Sequence, residues 1–385
     1  MSKHLVLAIG AFPPPVNGQS KNLDRIARDI AACDGVHLVR RSVASGSLKK
    51  TVVTHSRKAL RIARAWMTLV ALTPFYKKRT LYLVADGGKG LFYTRILAAW
   101  ARALGYRIML QHRTFQYVRS PNPLMGTVER HRKASGGAHV FLCGCMVQQF
   151  EKAYGQVGRR VHVVGNLSQY VGFADAGDAP ESRATGPVRV SILSNLLPEK
   201  GIDTFVAMAR QIIAADEGFN FTIAGPIPQE VTKNQIASLV ADHPDRVAYV
   251  GPLYGEDKRQ HLKDTDIFVF PTRYPFEAQP NVIFEAMSLG ATCIAPDRGC
   301  IAEDIGTTGI VISAQDESNP AAYAQALLSY AGTDGRALLD HRQTAAFNAA
   351  QTGVDTARAA YAGFLEDLTG AVPPAANKGG VHGSF

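Results

Sequence analysis

The chain has 385 residues, 46% of them hydrophobic, and a formal net charge of +10. That length predicts two domains or one large one, and the apolar fraction is that of a globular protein rather than a disordered or fibrous one. No run of 18 apolar residues occurs, so no transmembrane helix is expected.

The charge is divided unevenly. Residues 1–170 hold 27 Lys and Arg against 6 Asp and Glu, a balance of +21. Residues 171–385 hold 15 against 26, a balance of −11, and the two sum to +10. A basic front half is expected to meet an anionic partner, such as a membrane face, a nucleic acid or a charged glycan. Five scattered cysteines, Cys33, Cys143, Cys145, Cys293 and Cys300, show neither a disulfide framework nor zinc-site spacing. They fit thiols of a reducing cytoplasm, and no metal is expected.

The first element is a buried strand, "HLVLAIG" (4–10). Its apolar run is too short for a signal peptide and leads into prolines. A Gly/Pro loop, "GAFPPPVNGQS", precedes a helix from about Ser20, with Leu23, Ile26, Ala27 and Ile30 on one face. The stretch 55–80, "HSRKALRIARAWMTLVALTPFYKKRT", is basic and amphipathic. Arg57, Lys58, Arg61 and Arg64 occupy adjoining turns ahead of Trp66, Met67 and Leu69. Such a helix suits a membrane interface, and with the charge of its surroundings it predicts peripheral attachment to an anionic membrane.

Short apolar runs then recur between helical segments: "LYLVAD" (81–86), "RIMLQH" (107–112), "HVFLCG" (139–144) and "RVHVVGN" (160–166). Alternation of this kind predicts a parallel sheet covered on both faces. Residues 168–187 lose apolar periodicity and read as a linker. A second series follows: "VRVSILSN" (188–195), "NFTIAGP" (220–226), "RVAYVGP" (246–252), "DIFVFPT" (266–272), "TCIAPD" (292–297) and "GIVIS" (309–313). The fold class is therefore α/β, with two Rossmann-like domains, each built on a mostly parallel sheet, facing across a cleft. The expected limits are 1–180 and 186–352. A helix at about 355–370 packs back on the first domain, and a disordered tail covers 371–385.

Ligands of open α/β sheets bind at the carboxyl ends of the strands, and the candidate motifs fall there. Gly18, in "FPPPVNGQS", lies just before a helix start, where free amides favour an anion. The loop is not G-x-G-x-x-G, which disfavours a dinucleotide dehydrogenase. Lys200, in "LSNLLPEKGID", follows a strand and a Pro-Glu turn, from which it can reach a phosphate. In "YPFEAQPNVIFEAMSLG" (274–290), Pro280 precedes a helix starting near Asn281, so the amides of Gln279 to Val282 point out of a positive dipole end. Glu277 stands in the loop, and Glu285 lies about one turn inside the helix among apolar neighbours. The two carboxylates can bracket a ligand whose phosphate sits between them, which suits a nucleotide sugar.

"EAQPNVIFEAMSLG" resembles the setting E-G-x-P-x-x-hydrophobic-x-E-A-M-A-x-G of retaining family 4 ("group 1") glycosyltransferases, which have two Rossmann-like domains (GT-B). "PEKGID", "VAYVGPL" and "DIFVFPT" match further pieces of that pattern in order. The resemblance covers roughly residues 4 to 368 and is strongest from 190 to 310. It implies that Glu285 binds the donor ribose, that Glu277 touches the transferred sugar, and that Lys200 with the amides of Gln279, Asn281 and Val282 binds the diphosphate. It also implies that Gly18 approaches the donor phosphate or the acceptor, that His112 lies near the sugar, and that Leu253 and Tyr254 contact the base. Where the family usually has Gly-Arg-Leu before "PEKG", this chain has Ser194-Asn195-Leu196. Arg273 or Arg298 are candidates to replace the missing phosphate cation.

The expected function is transfer of a sugar from a nucleotide-diphosphate sugar to a glycan or lipid-linked acceptor, with retention of configuration. The expected setting is cytoplasmic, in cell-surface polysaccharide or glycolipid assembly. The nucleotide sugar is a substrate, and no cofactor is expected. No Asp-x-Asp pair stands at a strand end, so no divalent ion is expected either. Asn195 also motivates an alternative, a non-catalytic partner subunit or scaffold. A nucleic-acid partner is not expected, because the basic half carries no recognisable nucleic-acid module.

Overall fold

The computed structural model describes residues 3–14, 18–44, 52–169, 186–215 and 218–372, with backbone alone for 52–56. Most of the expected linker and tail lies outside these residues. Two compact units divide the chain: residues up to Gln169 together with residues from Thr356, and the segment through Asp355 between them.

Unit one carries a six-stranded sheet of β1 (His4–Gly10), β2 (Val36–Ser42), β3 (Arg79–Val84), β4 (Arg107–Gln111), β5 (Ala138–Phe141) and β6 (Val161–Val163) in the order β2-β1-β3-β4-β5-β6. Its helices are α1 (Gly18–Ala31), α2 (Val52–Leu72), α3 (Leu91–Ala103), α4 (Gln116–Arg119), α5 (Pro123–Ala134) and α6 (Gly144–Tyr154). Every pairing is parallel. This is why the central strands are apolar throughout: both faces are covered, so alternation has no use. β2 was missed by sequence. It is an edge strand, only partly buried, with Arg40 and Arg41 in its run.

Unit two repeats the plan with β7 (Val188–Leu193), β8 (Phe219–Ala224), β9 (Val247–Gly251), β10 (Ile267–Val269), β11 (Thr292–Pro296) and β12 (Ile310–Ile312), ordered β12-β11-β10-β7-β8-β9 and again all parallel. Its helices are α7 (Ile202–Ala214), α8 (Glu230–Asp242), α9 (Gly255–Lys263), α10 (Asn281–Ser288), α11 (Ile301–Ile305) and α12 (Pro320–Leu328). Helix starts follow the local chemistry. Asn122-Pro123 opens α5 and Asn319-Pro320 opens α12. In each the Asn side chain accepts an amide proton of the first turn, and the proline takes a position that needs no N–H.

The expected terminal helix is the last part of one continuous helix, α13 (Gly332–Thr369), 38 residues long. Gly353 does not break it; an isolated interior glycine costs only about 1 kcal/mol against alanine. In unit two, Ala346 and Ala350 pack with Ile283, Met287 and Ile301. In unit one, Phe364, Leu365 and Leu368 pack with Leu23, Ile26, Tyr82 and Met109. Arg107 Nη2 donates to both carboxylate oxygens of Asp367 at 2.7 Å, its Nη1 donates to the Asp367 carbonyl, and His162 Nε2 lies 2.9 Å from Oδ2.

Phe364 is fully buried, with its ring 5.7 Å from that of Tyr82. Phe364→Ala should therefore destabilise unit one by about 3–5 kcal/mol. A urea titration should show its transition moving to lower denaturant while that of unit two stays in place.

Candidate functional site

Strand order locates the site in unit two. From β7 the chain runs outward through β8 and β9, then returns to β10 on the other side of β7. The crevice beyond the carboxyl ends of β7 and β10 is thus the topological switch point, where open α/β sheets bind ligands. The loop after β7 carries Asn195 and Lys200, and the loop after β10 carries Glu277.

These two loops are tied together. Arg273 N donates to Glu199 O at 3.0 Å. Gly201 sits at φ +83°, and a Cβ there would come within 1.9 Å of Pro271 O, so only glycine fits. Lys200 Nζ donates to Glu277 Oε2 at 2.5 Å, 4.5 Å from the Tyr274 ring centroid, and Thr272 Oγ1 donates to the same oxygen at 3.3 Å. On the far side of the glutamate loop, Gly299 at φ +63° leaves no space for a Cβ against Ala278 O and Glu277 O.

α10 begins at Asn281, after Pro280, and no side chain caps it. Its first amides therefore point outward with the positive end of the dipole. Gln279 is buried, and its Nε2 donates to Asp304 Oδ1 at 2.8 Å. Burial holds the Asp304 carboxyl well above the usual carboxylate range, against the hydrogen bond from Gln279. Val282 is partly buried against the cluster of Ile283 and Met287.

Glu285 is 3% exposed. Its charge is met by a residue that sequence did not single out: Lys258 Nζ, from α9, lies 2.6 Å from Glu285 Oε2. That oxygen accepts no well-aligned hydrogen bond among the described residues, so the contact is electrostatic and leaves acceptor capacity for a hydroxyl. Lys258 gave no signal because "GEDKRQHLK" reads as an ordinary solvated helix. The loop with half-buried Leu253 and exposed Tyr254 leads directly into that helix, and Tyr254 is its N-cap.

Gly18 and His112 belong to unit one. Gly18 is exposed and opens α1. His112, expected beside the sugar, is instead fully buried, and both ring nitrogens are occupied: Nδ1 lies 2.8 Å from Tyr117 Oη, and Nε2 lies 2.9 Å from His139 Nδ1. It stacks on Phe141. Its place at the end of β4 was legible in the sequence; the polar network that consumes its nitrogens was not. His139 in turn lies 3.0 Å from Glu129, which Arg132 grips through two nitrogens. Burial raises Glu129, but hydrogen bonds from Arg132 and His139 outweigh it and hold the carboxyl down at about 2.

Residues 187–332 match the family profile of the glycosyl transferases group 1. That match falls within unit two. The GDP-mannose-dependent monoacylated alpha-(1-6)-phosphatidylinositol monomannoside mannosyltransferase of Corynebacterium glutamicum is 30% identical over 138 residues, 34% of this chain and 35% of that protein. The chain thus matches about a third of that relative's length. Over nearly the whole chain the similarity is structural. Anabaena Alr3699/HepE in complex with UDP is 14% identical, covering 94% of this chain and 100% of that one, with a TM-score of 0.60. A glycosyltransferase from Rickettsia africae ESF-5 is 13% identical, covering 96% and 99%, with a TM-score of 0.62. The shared fold is that of two Rossmann-like units, the GT-B architecture.

Against the group 1 pattern, the loop after β7 departs at Ser194 and Asn195. Asn195 is exposed where the family pattern has arginine, and its carbonyl accepts Leu197 N. Neither candidate replacement is uncommitted. Arg273 is held by Asp203 at 2.6 Å, and Arg298 is held by both oxygens of Glu317.

Removing Lys258 would strand a buried carboxylate. Lys258→Met should destabilise unit two by about 3 kcal/mol, and adding Glu285→Gln should recover part of that loss. A double-mutant cycle in urea measures the coupling; simple additivity would refute it.

The histidine pair predicts a pH dependence. Burial lowers the pKa of both rings; the charge of Arg132 acts the same way, and for His139 burial outweighs the opposing pull of Glu129. Unfolded rings titrate near about 6.5, so as pH falls the unfolded chain takes up protons first. Unit one should keep full stability above about pH 6.5 and lose up to about 1.4 kcal/mol per pH unit for each ring below it. Denaturation midpoints at about pH 7.5 and 5.5 check the sign.

Proposed function

We propose that the chain transfers a sugar from a nucleoside-diphosphate sugar to a glycan or lipid-linked acceptor. The observation that carries this reading is the uncapped start of α10 with a carboxylate on each side: Glu277 before it and Glu285 within it. Amides at a helix start suit a diphosphate, and carboxylates suit hydroxyls. The solved complexes of Alr3699/HepE with UDP and with UDP-glucose support a donor of this class. The mannosyltransferase relative supports a lipid-linked acceptor.

In this reading the donor diphosphate takes the Lys200 ammonium from Glu277. That exchange releases the Glu277 carboxylate to the hydroxyls of the transferred sugar, while Glu285 holds the ribose and the loop at Leu253 and Tyr254 lies along the base. The bond between the sugar C1 and the diphosphate oxygen breaks, and the bond from C1 to the acceptor oxygen forms on the same face. The leaving diphosphate takes the acceptor proton, so no protein base is assigned. Lys200 and the start of α10 stabilise the charge that develops on the leaving group, a task that in this scheme needs no divalent ion. His112, enclosed in unit one, supports the end of β4 rather than contacting the sugar. The reaction belongs to polysaccharide or glycolipid assembly on the cytoplasmic side.

Glu277→Gln separates the two duties of that carboxylate. The variant should bind nucleotide sugar at least as well as the wild type, because Lys200 is released, yet turn over about 10²–10³-fold more slowly. Lys200→Ala should weaken both binding and turnover. Calorimetry with UDP-glucose and GDP-mannose, alongside assays of product formation, reads both quantities. Wild-type turnover in both variants would sink the assignment. A second reading, a non-catalytic partner subunit, is favoured by Asn195 and by the commitment of Arg273 and Arg298 to acids. Binding of no nucleotide sugar would support it.

A further inference from the structure

We propose that the outward face of α2 and α3 is the surface on which this chain lies against an anionic lipid bilayer. α2 carries two apolar stripes. Ile62, Ala65 and Leu69 are buried in unit one. On the opposite side Leu60, Ala63, Met67 and Val70 recur at spacings of three and four residues, and all are exposed, Leu60 at 53% and Met67 at 50%. Phe75, in the turn that follows, is 76% exposed. A helix on a globular domain needs one apolar face; a second, facing outward, calls for an occupant.

The face continues onto α3. The two helices run alongside in the same direction: Lys58 lies over Tyr93, and eight residues later Trp66 meets Trp100 edge-on at 5.4 Å. Trp100 and Phe92 are both exposed. The rows of the two helices therefore adjoin through the tryptophan pair.

The rim is basic. Arg57 and Arg64 flank the stripe, Arg102 lies at the end of α3, and Lys77 and Lys78 follow Phe75. None of the five forms an ion pair among the described residues. Between Val52 and Tyr106 the one acid is Asp86, and Lys58 neutralises it at 2.9 Å. Aliphatic and indole side chains inside a cationic border are the chemistry of an interfacial helix on anionic lipid. A second copy of the same face would oppose cation to cation. Nucleic acid would gain phosphate contacts but no stacking plane from Leu60, Met67 or Val70. The inserting set is not the one that sequence suggested: Lys58 is paired, Arg61 is bound to Ala44 O, and Leu69 is buried.

The chain has two tryptophans, and both lie at this face. Their emission therefore reports its contact directly. With vesicles of phosphatidylcholine plus phosphatidylglycerol the emission should shift to the blue, brominated acyl chains should quench it, and the protein should sediment. Vesicles of phosphatidylcholine alone should bind far less. Leu60→Ser with Met67→Ser, and separately Arg57→Ser with Arg64→Ser, should each lower partition on the order of tenfold. These side chains are exposed, so circular dichroism and melting should be unchanged. An unshifted emission with anionic vesicles, equal partition onto neutral ones, or binding to nucleic acid without lipid partition would each overturn the proposal. The readout is binding rather than sugar transfer, so it stands or falls separately from the enzymatic reading.

Discussion

The approach of Gly201 to the Pro271 carbonyl is the constraint on which the candidate site of unit two depends. It brings the loops after β7 and β10 together with no side chain between them. The amide of Arg273 then reaches Glu199, and Lys200 reaches Glu277. Any β-carbon at residue 201 would push the β10 loop away by more than an ångström and take Glu277 with it. The left-handed φ of that residue and its lack of space have one cause. The chain must turn from the end of a short 3₁₀ turn into α7 directly under the neighbouring strand's exit.

The fold was legible wherever burial on two faces forces continuous apolar runs. Among the described residues, eleven of the twelve strands appear as such runs, and β1 has the very limits its sequence predicts. β2 was hidden because an edge strand answers to solvent as much as to the core. The continuity of α13 was hidden for a different reason: Gly353 weakens local propensity, but packing of the helix on both sides of it decides the outcome. In the site, the spacing of Glu277, Asn281 and Glu285 is local, so one stretch of sequence could display it. The partners Lys258 and Asp304 come from other helices, and nothing in their own neighbourhoods marks them.

Lys258 also answers the question that a glutamate in an apolar helix raises. A carboxylate at 3% exposure is costly unless a counter-charge follows it inside. Here the counter-charge arrives on the helix whose N-cap is Tyr254, so the loop of Leu253 and Tyr254 and the partner of Glu285 belong to one segment. Shifting that helix would change both contacts together. Asn195 is the opposite case. It is a departure from the family pattern that leaves the fold untouched, because its side chain is exposed and only its carbonyl supports the turn.

The core of unit one draws on residues about two hundred positions downstream of its last strand. Phe364, Leu365 and Leu368 fill the space between α1 and the sheet, and Asp367 ties down Arg107 and His162. Among the described residues, unit two is one stretch of chain ending at Asp355. On the ribosome, the usual order in which the first domain closes before the second is made is therefore reversed. The early half waits with one flank of its sheet open until the final turns of α13 emerge, while the later half can finish first. During that interval the apolar residues of β1, β3 and β4 are the part of the chain most in need of a chaperone.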